Sequence, residues 1–232
     1  MNQTAFTLVV PCAGSGKRMQ SDIAKQYLTI NNKRIIEHTL TRLLSHPKIE
    51  KVIVVLSADD DIFHSLDIAA DQRVITVIGG AERSDSVFAG INQVADNDWV
   101  LVHDAARPCV SHADISNLIG HCTSTGVGAI LATPVKDTMK RSNDNLEILH
   151  TTERNNLWHA QTPQMYLCGQ LKSAMQQASE QGFAITDESS AIESAGIESH
   201  IVSGREDNIK ITRPGDLNLA AFILSEQEGT CV

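Results

Sequence analysis

Near the amino terminus, Pro11-Cys12-Ala13-Gly14-Ser15-Gly16-Lys17-Arg18-Met19 combines a glycine-rich turn with two adjacent cations, directly after the apolar run Phe6 to Val10. Gly14 and Gly16 can take positive φ and bring backbone N–H groups close to an anion, while Lys17, Arg18 and the later Lys25 bring positive charge. The chemistry this predicts is phosphoryl or nucleotidyl transfer on a polyphosphate. A P-loop would need glycine at Pro11 and serine or threonine at Arg18, and both positions differ. A dinucleotide fingerprint would need glycine where Met19 stands. Taken alone, the segment also fits a strand-to-helix turn whose glycines serve only backbone geometry.

A second candidate is Asp104-Ala105-Ala106-Arg107-Pro108, which follows an apolar run ending at His103. It puts a carboxylate at the carboxyl end of a predicted strand, the edge where open α/β sheets bind ligands. Asp104 there can hold Mg²⁺ for a triphosphate, or it can cap a turn with Arg107 as its ion-pair partner. Gly79 to Val87 forms a further glycine turn, with Ser84 or Asp85 able to cap the next helix and backbone atoms able to read a base. His103, His112, His121, His150 and His159 lack metal-ligand spacing. Cys12 reads as a small lining residue, and Trp158 as a core or interface residue.

These residues need a scaffold, and short β-branched runs alternating with helical patterns supply one. The rhythm runs through Phe6–Val10, Ile35–Leu44, Val52–Leu56, Ile62–Ala70 and Val74–Ile78. It continues with a helix near Ser84–Val94, a strand at Trp99–His103, a helix near Ala113–Cys122 and a strand at Val127–Thr133, predicting a parallel α/β sheet. Residues 136–154 break it, being polar and centred on Asn143-Asp144-Asn145, between Thr138-Met139-Lys140 and Leu146-Glu147-Ile148. A hairpin arm is expected there, packed on something else because two strands alone are marginal in water. Helices follow at Gly169–Gln181, Asp187–Ala195 and Pro214–Leu224, with strands near Ser199–Val202 and Asn208–Ile211.

Composition narrows the function. A formal charge of −9 disfavours a nucleic-acid or anionic-membrane surface, so the cations near the first turn act locally. The five scattered cysteines form no C-x-x-C pair, no apolar run reaches the length of a membrane span, and the start lacks a secretory signal layout. One domain, residues 1–232, in the cytoplasm is expected.

Pro11 to Met19, Lys25-Gln26-Tyr27-Leu28, Gly79 to Val87, Val102 to Pro108, Asp137-Thr138, Gln161-Thr162-Pro163-Gln164 and Asn208 to Thr212 together resemble the 2-C-methyl-D-erythritol 4-phosphate cytidylyltransferase family nearly end to end. The resemblance implies a Rossmann-like nucleotidyltransferase sheet with an extended β-hairpin arm used for dimerisation. It further implies transfer of CMP from CTP to methylerythritol phosphate, with Mg²⁺ as cofactor, in a homodimer with shared active sites.

By motif, the resemblance assigns Arg18 and Lys25 to the triphosphate, Lys25 also to the charge on the five-coordinate α-phosphate, and Lys210 to the incoming phosphate or the transition state. Asp104 takes Mg²⁺ and orients the substrates. Ala13, Gly14, Gly16, Gly80 and Ser86 surround the nucleotide, and Arg107 and Thr162 lie near the sugar phosphate. Thr138 and Arg154 reach it from the neighbouring chain's arm. The chain departs from the family's pattern at Cys12, where alanine is usual, and at Ala81, where some members carry an acid. Two other functions remain to compare: a cytidylyltransferase for another polyol phosphate such as ribitol 5-phosphate, and a silent nucleotide-binding subunit.

Overall fold

The computed structural model describes residues 5–14 and 23–229. In chain order its elements are β1 (Phe6–Pro11), β2 (Thr29–Ile30), β3 (Lys33–Arg34), α1 (Ile35–Leu44), β4 (Ile49–Leu56), β5 (Val74–Ile78), α2 (Arg83–Ile91), β6 (Trp99–Val102), α3 (His112–Thr125) and β7 (Gly128–Pro134). There follow β8 (Met139–Ser142), β9 (Ile148–Thr152), β10 (Trp158–Leu167), α4 (Cys168–Glu180), α5 (Glu188–Ser194), β11 (Ser199–Ser203) and α6 (Pro214–Gly229).

Seven strands form the main sheet in the order β11-β7-β10-β6-β1-β4-β5. The sheet is mixed, which corrects the all-parallel expectation. β10 lies antiparallel between β6 and β7, while the remaining neighbours are parallel. Its sequence, WHAQTPQMYL, carries a proline and three polar residues in its centre, so neither alternation nor a continuous apolar run marks it as a strand.

Both faces of the sheet are covered, which explains why the central strands read as unbroken apolar runs. Successive residues of β1 feed opposite cores: Leu8 and Val10 pack with Ile36 and Leu40 of α1 and with Ile115 and Leu118 of α3. Val9 packs with Val87 and Ile91 of α2 and Leu171 of α4. β4 divides likewise, with Val52 and Val54 on the first side and Ile53 and Val55 on the second. A smaller cluster joins α6, through Ala220 and Leu224, to Ala106 and Ile211. Gly90 lets α2 lie close on β1, since a Cβ there would stand 2.4 Å from Val9 Cγ1.

Three other expectations change. Ile62–Ala70 forms two 3-10 turns, Phe63–Ser65 and Asp67–Ala70, rather than a helix. Residues 208–211 are irregular rather than a strand; Ile211 N–H donates to the Ala106 carbonyl, outside any sheet. The hairpin arm is present as β8 paired antiparallel to β9. Leu146 and Glu147 belong to its turn instead of its second strand: Leu146 has φ of 63°, and Asn143 Oδ1 accepts from the Asn145 and Glu147 N–H groups.

Candidate active site

The carboxyl ends of β1 and β6 and the start of α2 border a cleft of roughly 350 Å³, within the range of small-ligand sites. Cys12, Ala13 and Gly14 line one side, Gly80 to Arg83 and Ser86 another, and Lys25, Asp104 and Lys210 bring charge. Ser15, Gly16, Lys17 and Arg18 lie outside the described residues. The backbone on the β1 side is held by the buried Gln26, whose amide donates to the carbonyls of Cys12 at 2.8 Å and Gly14 at 3.3 Å. Lys25 precedes Gln26 on the same 3-10 turn, so one short element both fixes the turn and places an ammonium at the cleft.

Asp104 is the electrostatic centre. Its Oδ1 accepts from Arg83 at 3.2 Å, and its Oδ2 lies 2.8 Å from Lys210 Nζ and 3.5 Å from Arg107 Nε. Burial pushes its pKa up, but Arg83, Lys210 and Arg107 outweigh that and hold the carboxyl well below the usual range. It stays ionised throughout the working pH range.

The backbone of Asp104 is positioned just as firmly. Pairing of β10 with β7 is irregular between Ala160 and Gln164. In that interval Thr162 Oγ1 accepts the Asp104 N–H at 3.1 Å and lies 3.0 Å from His103 Nδ1. His103 Nε2 faces the Arg107 carbonyl at 3.0 Å and therefore carries the ring hydrogen, leaving Nδ1 to accept from the threonine hydroxyl. The result is one directed chain from Asp104 through Thr162 and His103 to Arg107. Burial, which exceeds the opposing effect of the Arg107 carbonyl, pushes His103 down to about 4, so the ring is neutral.

The expected residues separate into three groups. Ala13, Gly14, Lys25, Gly80, Ser86, Asp104 and Lys210 meet at the cleft. Arg107 and Thr162 lie behind it: Arg107 donates to the carbonyls of Asn208 at 2.7 Å and Ala160 at 3.4 Å, and Asn208 in turn donates to the Thr162 carbonyl. Asp104 and Arg107 thus also form the ion-paired turn that sequence left open, with Arg107 N–H donating to the Asp104 carbonyl at 3.1 Å. Thr138 and Arg154 are exposed on and beside the arm, outside the cleft lining, and Arg154 donates to the Lys136 carbonyl. At α2, the preceding residue is Glu82 rather than Ser84 or Asp85, with Asp85 accepting its N–H from inside the first turn.

Sequence reasoning missed Arg83 and Glu188. Arg83 stood within the second glycine motif without being singled out, and it bridges Asp104 to Glu188 Oε1, at 2.7 Å. Glu188 lies in a separate region of sequence with no motif to mark it.

A sequence model of the 2-C-methyl-D-erythritol 4-phosphate cytidylyltransferase family (IspD) matches residues 6–226. The chain belongs to that family. A relative from Tolumonas auensis described as 2-C-methyl-D-erythritol 4-phosphate cytidylyltransferase is 54% identical over 223 residues, 96% of this chain and 98% of its own. One from Vibrio cholerae with the same description is 51% identical over 226 residues, 96% of this chain and 97% of its own. The crystal structure of the Francisella tularensis protein (IspD) aligns with a TM-score of 0.82 at 34% identity, over 95% of this chain and all 100% of its own. The enzyme is accordingly a nucleotidyltransferase, transferring CMP from CTP to 2-C-methyl-D-erythritol 4-phosphate in the non-mevalonate route to isoprenoid precursors. Its mixed α/β sheet is that of IspD-like nucleotidyltransferases.

Proposed function

We propose that the transfer takes place in the cleft between the first glycine turn and Asp104. The observation that carries this reading is the Asp104 carboxylate, held ionised by Arg83, Arg107 and Lys210 at the wall of a cleft whose other side is glycine-rich backbone. Ala13, Gly14, Gly16, Gly80 and Ser86 bind the nucleotide. Arg18 and Lys25 grip the triphosphate, and Lys210 steadies the incoming phosphate, with Arg107 and Thr162 supporting that end from behind.

An oxygen of the methylerythritol phosphate attacks the α-phosphorus of CTP in line. The bond to the β-phosphate breaks, and pyrophosphate leaves with that electron pair. A phosphate monoester is already anionic near neutral pH, so the protein supplies no strong base and forms no covalent intermediate. Its residues bring two anions together and meet the charge that develops, by position and by fixed cations.

Mg²⁺ fits this donor set in one form. Among the described residues there is no group of three or more His, Cys, Asp or Glu side chains able to hold a metal. Among the described residues lining the cleft the carboxylates are those of Glu82 and Asp104, and Asp104, beside Lys210, would be the one to hold an ion carried in with the substrate phosphates. When bound, Mg²⁺ supplies charge neutralisation at the phosphate oxygens.

The reading further takes residues 1–232 as one Rossmann-like nucleotidyltransferase domain that works in the cytoplasm as a homodimer. The arm leaves Ile148 67% and Leu149 59% exposed, apolar surface that a second copy would cover. Thr138 and Arg154 would then serve the partner's sugar-phosphate site. No described helix is long and apolar enough to cross a membrane, and the formal charge of −9 disfavours nucleic-acid partners.

Pyrophosphate release from CTP and Mg²⁺ is to be measured with methylerythritol 4-phosphate, ribitol 5-phosphate and no acceptor, using the natural chain and Asp104→Asn. Turnover with methylerythritol phosphate that Asp104→Asn abolishes is expected; full activity of that variant would overturn the site.

A further inference from the structure

Glu188 is the first residue of α5 and only 1% exposed, yet it lies outside the cleft lining. A carboxylate so enclosed is costly unless paired, and its partner is Arg83, with Nη1 at 2.7 Å from Oε1 and Nη2 at 3.4 Å from Oε2. The same guanidinium lies 3.2 Å from Asp104 Oδ1. Carboxylate, guanidinium and carboxylate thus form a row that ends at the reaction site.

The far end of this row is rigidly placed. Asp187 caps α5 by accepting the Ser190 N–H and also accepts from Gln164 Nε2 at 2.8 Å. Gln164 Oε1 accepts the Ser189 N–H at 2.9 Å, and Gln164 itself is buried on β10. The start of α5, and Glu188 with it, is therefore tied to the central antiparallel strand.

Charge gives the row its consequence. Asp104 and Glu188 stand against Arg83, Arg107 and Lys210, two negative groups against three positive. With Glu188 present, the charge of Arg83 is divided between two carboxylates; without it, the whole of that charge faces Asp104. We propose that Glu188 is a positioning residue for the transfer: by holding Arg83 from behind, it limits the positive charge on Asp104 and leaves that carboxylate able to share a divalent cation carried by the nucleotide. This rests on the reading of Asp104 given above.

Glu188→Gln keeps the side chain's size and removes its charge. Mn²⁺ binding in the presence of a non-hydrolysable CTP analogue, followed by the EPR signal of free Mn²⁺, is the primary readout. In Glu188→Gln the half-saturating Mn²⁺ concentration is expected to rise about three- to tenfold, the effect of one unbalanced charge nearby. Turnover falls at limiting metal and recovers as metal is raised, while KM for CTP does not increase. The double variant Arg83→Gln/Glu188→Gln removes both charges and is expected to bind Mn²⁺ more tightly than the single variant, a reversal that a purely structural role would not produce.

Natural Mn²⁺ affinity in a folded Glu188→Gln protein, or a double variant no tighter than the single, overturns the proposal. If Glu188→Gln does not fold, the double variant decides alone: affinity at or above the natural level supports the proposal, and weaker binding refutes it. Asp104→Asn separates the two levels of inference. Unchanged Mn²⁺ binding and turnover there would remove the reading of the site itself, whereas an inactive Asp104→Asn beside an indifferent Glu188→Gln would remove only the role of Glu188.

Discussion

Nζ of Lys210 lies 2.8 Å from Oδ2 of Asp104, joining the irregular segment after β11 to the carboxyl end of β6. The ammonium is about one-third exposed and the carboxylate is buried, so the pair has one side in the cleft and one in the protein. Lys210 can turn toward an arriving phosphate while Arg83 and Arg107 keep Asp104 paired.

Lys210→Ala should therefore affect activity much more than stability. A loss of about 10²–10³ in kcat/KM for methylerythritol phosphate is expected, the effect of losing one donor to developing charge, or ~2.7–4 kcal/mol. Steady-state kinetics beside urea unfolding checks this. An equal fall in both would mean that the lysine serves the fold instead.

Lys25→Ala should lower turnover by a similar factor of about 10²–10³. Arg154→Ala should impair the site that its arm serves. If sites are shared between two chains, mixing the two inactive proteins restores part of the activity, because one site in a mixed dimer keeps both natural residues. Mixed dimers without activity would show that each chain uses its own arginine.

Gly90→Ala tests the contact that seats α2. The added Cβ would stand 2.4 Å from Val9 Cγ1 and 2.9 Å from Val55 Cγ2, both in the packed core beneath the second glycine turn. Overpacking of this kind costs about 1–3 kcal/mol. Because α2 begins at Arg83, its displacement should also raise KM for CTP. A natural urea midpoint together with natural KM would refute the close-packing argument.

Acid should weaken the fold before it reaches Asp104. Burial lowers His103 to about 4 and likewise lowers His46 to about 4, against an ordinary value of 6.5. Between those limits the unfolded chain takes up protons that the folded chain refuses, so stability falls as pH drops from about 6.5 to 4, each ring contributing at most ~1.4 kcal/mol per pH unit. Asp104, whose pKa is depressed, contributes stability above its ordinary value of 3.8 that is lost only at still lower pH. Urea unfolding at pH 5 and pH 7 should show the difference, and His103→Asn should reduce it.

Much of this molecule was readable in one dimension because its determinants are local. β1, β4 and β6 are buried on both faces and so appear as apolar runs; the first glycine turn follows β1, Asp104 follows β6, and the second glycine turn follows the more exposed β-branched run of β5. The arm announced itself by its polarity and its asparagine turn. Arg83 and Glu188 had no such signal. Their partnership depends on α2 and α5 meeting in space, and neither residue type nor spacing records a contact between distant segments.

β10 was equally hidden, since its polar centre is accommodated by specific tertiary partners: Thr162 for Asp104 and His103, Gln164 for the start of α5, and Gln161 for the Arg205 carbonyl. The sequence by itself determined the alternating scaffold, the glycine turns and the supply of charged side chains. Tertiary structure decided which charges meet: only folding makes Asp104 the shared partner of Arg83, Arg107 and Lys210, because their ion pairs depend on distances that chain order does not contain.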